Sequence, residues 1–420
     1  MQTASLSKVL AIRSFRNLWI SQIISQISQN MLTFVLAILV YEQTRSNAAV
    51  SLLYLTIAVP ATIFGLWSGV LVDRSNKKRF LLISTLGRAG LLLLLFLSRD
   101  NLPVLFLLVA VISLVGQFFL PAAAALLRHF VPYYELLSAN SLFTLTFYGA
   151  IIGGFVIAGP LLAVLGIESM LVGLTFLFVF CALIILFLPR EKKNKQITLQ
   201  KGQVLHDVKQ TFSFIQKTPG VFMAIGLLTL TQAVLAIIAT LGPGFADKIL
   251  ATRLTDASIS ILGPAALGMV IGAILIGNIG QRFKKSTIVM TGFFASVLLL
   301  LVLSLVAAPW TSYSSHPFLT SVVFHELMYV ISVLCFFGLG FANSIVDVVC
   351  NTTLQEQTTD VVRGKIYGLL ASLISGVAVL PVVVSGVIAD TFGIATIFIT
   401  LTITMFVISF QIKRRARFLH

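Results

Sequence analysis

Twelve long apolar runs constrain this chain more than any other feature. They lie near 17–41, 50–72, 80–98, 103–127, 141–165, 168–189, 221–246, 258–280, 287–308, 321–346, 366–389 and 392–412, with mostly short polar breaks between them. A bilayer core takes about 20 apolar residues per helix, and about 10 per barrel strand. Lipid offers the backbone no hydrogen bonds, so segments of this length must satisfy their own N–H and C=O groups as helices. Charged residues make up only 10 % of the chain, against about 25 % in a soluble domain. A cytosolic enzyme, a nucleic-acid module and a disordered chain are therefore excluded. The expected fold class is an all-α membrane protein of twelve transmembrane helices.

The net charge of +15 needs locating before it is interpreted. With the N-terminus in the cytoplasm, 24 of the 29 Lys and Arg residues fall in segments on that side. Four fall outside (Arg45, Arg99, Lys248, Arg253), and Arg88 lies within the third span. This is a positive-inside pattern with both termini cytoplasmic, not a nucleic-acid footprint. The cations set topology and are placed to touch anionic lipid headgroups. The N-terminal stretch carries cations and then a full-length span without a small-residue cleavage site, so no cleaved signal peptide is expected. Cys181, Cys335 and Cys350 have no metal-ligand spacing and read as small apolar residues.

A polar, basic, Gln-rich stretch divides the chain near its middle. The expected organisation is a six-helix bundle over 1–190, a cytoplasmic linker over 191–220 and a second six-helix bundle over 221–420. An internal repeat supports it. GVLVDRSNKKR at 69–79 matches GNIGQRFKK at 277–285, and Leu127, Gly159 and Gly166 match Leu354, Gly386 and Gly393. The second set is displaced relative to the first, which points to an insertion around Pro309–Leu319. Two equivalent halves place a binding site between them near the midplane.

These residues resemble the major facilitator superfamily. GVLVDRSNKKR is similar to its G-x-x-x-D-R-x-x-[RK]-[RK] loop between spans 2 and 3. FFLPAAAALLRHFVPYYELLSAN at 118–140, leading to AGPLLAVLG at 158–166, and TLQEQTTDVVRGKIYGLLASLISG at 353–376 resemble the macrolide-efflux and enterobactin-exporter branch of bacterial exporters. The resemblance implies two pseudo-symmetric six-helix bundles in a bacterial inner membrane. It also implies a gate at Gly69, Asp73 and Arg74, with Asp73 facing the start of span 11 near Lys365–Leu370. A helix N-terminus favours such a carboxylate; the competing reading is an ordinary turn. Two departures weigh against proton antiport and leave export open. Ile112 stands where related proton-coupled exporters often carry Arg, and Phe155, Ala163 and Val164 replace glycines of their span-5 pattern.

The polar residues inside the spans carry the rest. Gln22, Gln26, Gln29 and Thr33 share one face of span 1, bordered by Asn30. Either they line a wet cavity that offers uncharged donors and acceptors, or they bond other helices. Gln232, with Thr229 and Thr240 in span 7, is the equivalent from the second half, and Tyr148 and Gly153-Gly154 in span 5 are further cavity candidates. Gly242-Pro243-Gly244 is expected to break span 7 near its outer end. Glu326 and Asp347 in span 10 are the proton-coupling candidates. Their bland readings are a snorkelling interface residue for Glu326 and pairing with Arg363 or Arg128 for Asp347. Arg88 is expected to snorkel to the cytoplasmic face, with anion binding as the alternative.

Spans 1, 2, 4, 5, 7 and 8 have no acid deep in the core, which favours a bulky amphipathic substrate over a cation. No nucleophile elbow, Cys/His cluster or phosphate-cradling loop appears, so neither catalysis nor a cofactor is expected. The expected function is a monomeric secondary transporter exporting amphipathic small molecules of drug, macrolide or siderophore type by alternating access, with protons as a candidate coupling ion. A lipid or lysolipid flippase is the alternative within transport. A non-transporting polytopic scaffold or membrane enzyme is the alternative outside it.

Overall fold

The apolar runs fold as helices because their backbones pair internally and their side chains tolerate burial or lipid on every face. The computed structural model describes residues 6–73, 75–132, 135–189, 212–279, 282–308, 322–358, 366, 370, 373, 376 and 379–415. In chain order the helices are α1 (Leu6–Ala11), α2 (Arg13–Thr44), α3 (Asn47–Asp73), α4 (Lys77–Leu97), α5 (Leu102–Gly116), α6 (Phe119–Phe130) and α7 (Leu136–Leu186). Then come α8 (Pro219–Lys248), α9 (Gly263–Ile279), α10 (Lys285–Val306), α11 (Val322–Gln357), α12 (Val379–Phe392) and α13 (Ile394–Arg415). Among the described residues nine helices are long and apolar enough to cross a membrane, and two shorter apolar helices end the chain.

Local chemistry sets the boundaries. Asn76 and Asn101 cap α4 and α5 by accepting from the N–H groups of Arg79 and Val104. The fourth span is split at Gln117–Phe118 into α5 and α6. The long α7 holds the fifth and sixth spans, divided at Gly166, whose φ of 74° and ψ of 167° are outside the helical region. Gly393, with φ of 87°, turns the chain from α12 into α13. These are the only glycines with positive φ among the described residues, and the sequence repeat pairs them with each other. Only a residue without Cβ adopts this backbone cheaply. The stretch Pro309–Leu319, expected to hold the insertion, lies outside the described residues.

Two compact units emerge: Met1–Leu39 with Leu55–Leu199, and Val40–Tyr54 with Gln200–His420. In the first, α4 packs on α5, α6 and α7, and the core includes Phe15, Leu81, Phe119, Leu126 and Ile185. In the second, α11 packs on α8, α9 and α10, and α13 packs on α10. Phe245 anchors its core, edge-on to Phe336 at 5.4 Å and Phe398 at 5.8 Å. Large apolar side chains such as Phe176, Leu107, Ile274 and Leu334 remain exposed. On a water-soluble surface such a display would drive aggregation; on membrane helices it is the lipid face.

The crossing of α9 and α11 depends on glycine. A Cβ on Gly340 would sit 1.9 Å from the carbonyl oxygen of Ala265, and one on Gly268 would sit 2.0 Å from that of Phe337. Gly272, one turn after Gly268, meets Ser344 and Phe341 in the same way. In lipid, helices gain association from close van der Waals contact rather than from hydrophobic burial, and small residues permit that contact.

The expected break at Gly242-Pro243-Gly244 does not occur. Helix α8 continues through Pro243 to Lys248. Proline removes one i to i−4 bond, which a tightly packed membrane helix tolerates.

Candidate transport site

The polar face of α2 divides by burial. Gln22 is 1 % exposed and its Oε1 has no hydrogen-bond partner among the described residues. Gln26, Gln29, Asn30 and Thr33 are half-buried. Asn30 donates to the carbonyls of Gln26 (2.9 Å) and of Ala150 on α7 (3.2 Å). Gly154 makes room for it, since a Cβ there would lie 2.6 Å from Asn30 Cβ. Gly154 is thus a packing notch, whereas nothing lies within 4 Å of a Cβ on Gly153. The side chain of Tyr148 lies outside the described residues.

In the second unit two residues singled out separately in the sequence come together. Asp347 on α11 is half-buried, with the side chains of Gln232 on α8 and Asn351 on α11 beside its carboxylate, and Asn351 Nδ2 donates to the Asp347 carbonyl oxygen (3.0 Å). Helical spacing puts Asn343, Asp347 and Asn351 on one face of α11. Asn343 is buried, its Oδ1 has no partner among the described residues, and it borders a recess lined also by Thr231, Ile238, Ser296 and Leu339. Among the described residues Asp347 forms no ion pair; Arg363, one proposed partner, lies outside them. Glu326, by contrast, is exposed near the start of α11.

Arg88 departs from expectation. It does not snorkel: it is 3 % exposed inside the first unit. Its guanidinium donates to Ser25 Oγ (2.9 Å) and the Ser84 carbonyl (3.1 Å), and lies over the rings of Phe178 (4.6 Å) and Phe119 (5.2 Å). Two aromatic faces and two oxygens replace the water it lost. Arg88→Ala should empty the space between these side chains and cost about 3 kcal/mol. Arg88→Met, which keeps the volume without the charge, should remain within about 1 kcal/mol of the native protein. Thermal unfolding in detergent micelles separates the two; equal losses would show that the charge itself holds the site.

At the end of the first unit where α3 meets α4, Gly69 and Asp73 lie on α3, but the surroundings of Gly69, the side chain of Asp73, and Arg74 entirely, are outside what is described. Lys78 is one of the cations on the side read as cytoplasmic. It also caps a helix, since its ammonium donates to the carbonyls of Leu186 (2.8 Å) and Leu188 at the end of α7. In the second unit Lys285 pairs with Glu356. Two acids without a local sequence signal, Asp247 and Asp390, hold the turn between α2 and α3.

Membrane-length helices with lipid-facing apolar surfaces and internal amide–carboxylate clusters define a polytopic membrane protein of the transporter class. A family model described as Major Facilitator Superfamily matches residues 18–332, and the chain belongs to that superfamily. The family consists of transporters, not enzymes, and the resemblance read from the loop motif holds.

Relatives agree. The chain is 25 % identical over 367 residues to an uncharacterized MFS-type transporter, YfiS, of Bacillus subtilis, covering 87 % of this chain and 84 % of the relative. It is 24 % identical over 415 residues to the enterobactin exporter EntS of Shigella dysenteriae, covering 93 % and 92 %. It is 30 % identical over 272 residues to the multidrug resistance protein MdtG of Citrobacter koseri, covering 62 % of each. Among solved structures, the nucleoside transporter NupG matches with a TM-score of 0.70 at 17 % identity, covering 95 % of this chain and 98 % of that one. A POT family transporter in complex with 5-aminolevulinic acid matches with a TM-score of 0.72 at 12 % identity, covering 97 % and 96 %. Both structural likenesses speak to the fold.

Proposed function

We propose that this transporter exports bulky amphipathic small molecules by alternating access between two six-helix halves, 1–190 and 221–420, joined by a cytoplasmic linker over 191–220. Both termini face the cytoplasm of a bacterial inner membrane, a reading supported by the placement of 24 of 29 cations. The relatives named as enterobactin exporter and multidrug resistance protein support export of drug- or siderophore-like cargo. Gln22, Gln26, Gln29, Thr33, Tyr148 and Gln232 supply the uncharged polar lining, and Gly69, Asp73 and Arg74 form the cytoplasmic gate.

Coupling is to protons through Asp347. The observation that carries this is the half-buried Asp347 carboxylate with the side chains of Gln232 on α8 and Asn351 on α11 beside it. An ionised carboxylate only accepts hydrogen bonds, whereas a protonated one also donates. One proton therefore reverses a hydrogen-bond polarity between α8 and α11, and an intramembrane acid is the group suited to that exchange. Exposed Glu326 lacks such a setting.

The test is transport into inverted vesicles with an imposed proton gradient, using a panel of dyes, macrolides and fluorescent lipids. Gradient-dependent uptake of dyes or macrolides is the expected result, unchanged by Glu326→Gln. Movement of the lipids alone would establish a flippase and overturn the reading, and loss of uptake in Glu326→Gln would move coupling to that residue.

A further inference from the structure

The turn between α2 and α3 is not capped by its own sequence alone. The first N–H groups of α3 have no intrahelical acceptor and carry partial positive charge. Asp390, in the last turn of α12, fills that position with both carboxylate oxygens. Its Oδ1 accepts from the Asn47 N–H (2.9 Å) and from Asn47 Nδ2 (2.9 Å). Its Oδ2 accepts from the Ala48 N–H (2.9 Å) and Ser46 Oγ (2.6 Å). A second acid, Asp247 at the end of α8, accepts from Arg45 (3.2 Å) and from Tyr41 Oη (3.2 Å).

Two glycines make the seat. A Cβ on Gly244 would lie 2.1 Å from Asn47 Oδ1, and one on Gly386 would lie 1.9 Å from Ser51 Oγ. Asn47 and Ser51 are fully buried. The consequence is visible in the grouping of residues: Val40–Tyr54, covalently the junction of the first two spans, belongs to the second unit. Spans 1 and 2 thus begin and end in one unit and meet in the other.

We infer that Asp390, with Asp247 as second anchor, is a conformational latch on the outer face of the membrane, which holds the Val40–Tyr54 hairpin in its glycine seat and releases it when the outer side opens. The inference rests on the alternating-access and topology readings above. The contact suits a latch because its donors are backbone and short side chains already fixed by the turn. It closes as four charge-assisted hydrogen bonds made together and offers little when the helices part.

The test uses the full-length protein carrying Ser51→Cys as a reporter, labelled with a membrane-impermeant maleimide. The native cysteines are buried and give a low background. Labelling of the reporter alone should be slow. Adding Asp390→Asn should speed labelling from the outer face at least about tenfold, the factor equivalent to losing one charge-assisted hydrogen bond. Ser46→Ala, which removes one donor and leaves the carboxylate in place, should act in the same direction and less strongly. It serves as the second variant if Asp390→Asn does not yield monodisperse protein. Unchanged labelling in a folded variant overturns the latch. Faster labelling from the cytoplasmic face instead refutes the topology and with it the outer placement. Faster outer labelling in a protein that moves no substrate supports the latch while the transport reading fails.

Discussion

Gly340→Leu is expected to abolish the folded protein in the membrane, and Gly340→Ala to destabilise it by about 3 kcal/mol, the upper end of overpacking costs. The obstacle is backbone, not a side chain that can turn away. A Cβ at 340 would lie 1.9 Å from the Ala265 carbonyl oxygen, 2.6 Å from its carbon and 2.9 Å from its Cα. The two helices must separate along the crossing, which removes the contacts at Gly268 and Gly272 as well. Hydrophobic burial does not oppose that separation in lipid, because the lipid replaces the lost apolar contact. Gly173→Ala in α7 is the matched control. Nothing lies within 4 Å of a Cβ there, so the higher helix propensity of Ala should leave stability equal or raised by up to about 1 kcal/mol. Thermostability by fluorescence-detected size exclusion reads both. Equal stability of Gly340→Ala and Gly173→Ala would show that the α9–α11 crossing is looser than described.

The helices were legible in the sequence because hydropathy and length report the solvent of a segment directly. Gly166 and Gly393 were legible as repeat partners, and their shared positive φ gives that match a physical cause. Rotation about the helix axis was not legible. Hydropathy places Arg88 nine residues into its span, but whether it reaches for water or for Phe178 depends on three other helices. The break expected at Pro243 failed for a related reason. The glycines flanking it lie on a packed helix, and Gly244 makes room for Asn47 about two hundred positions away in the chain. Asp390 had no local mark at all, since the helix it caps starts 343 positions earlier. Of the candidate site, Gln232 and Asp347 were identified separately, as a cavity residue and as an intramembrane acid. Only tertiary packing joins them.

That junction leads to the second large effect. Asp347→Asn keeps the shape of the side chain and a hydrogen-bonding partner for Gln232, so folding and substrate binding should persist. What it removes is the exchangeable proton. A gradient of one pH unit stores about 1.4 kcal/mol per proton and sustains about tenfold accumulation for each proton exchanged. Without the exchanging group the accumulation ratio falls to one, however steep the gradient. Exchange of substrate for substrate needs no net proton movement and should continue.

The most direct measurement therefore compares the native protein and Asp347→Asn in inverted vesicles loaded with a fluorescent macrolide. Gradient-driven accumulation and substrate counterflow are followed in the same preparation. Asp347→Asn is expected to give accumulation at the level of vesicles without the protein and counterflow near the native rate. Native gradient-driven accumulation by Asp347→Asn would contradict proton coupling through Asp347.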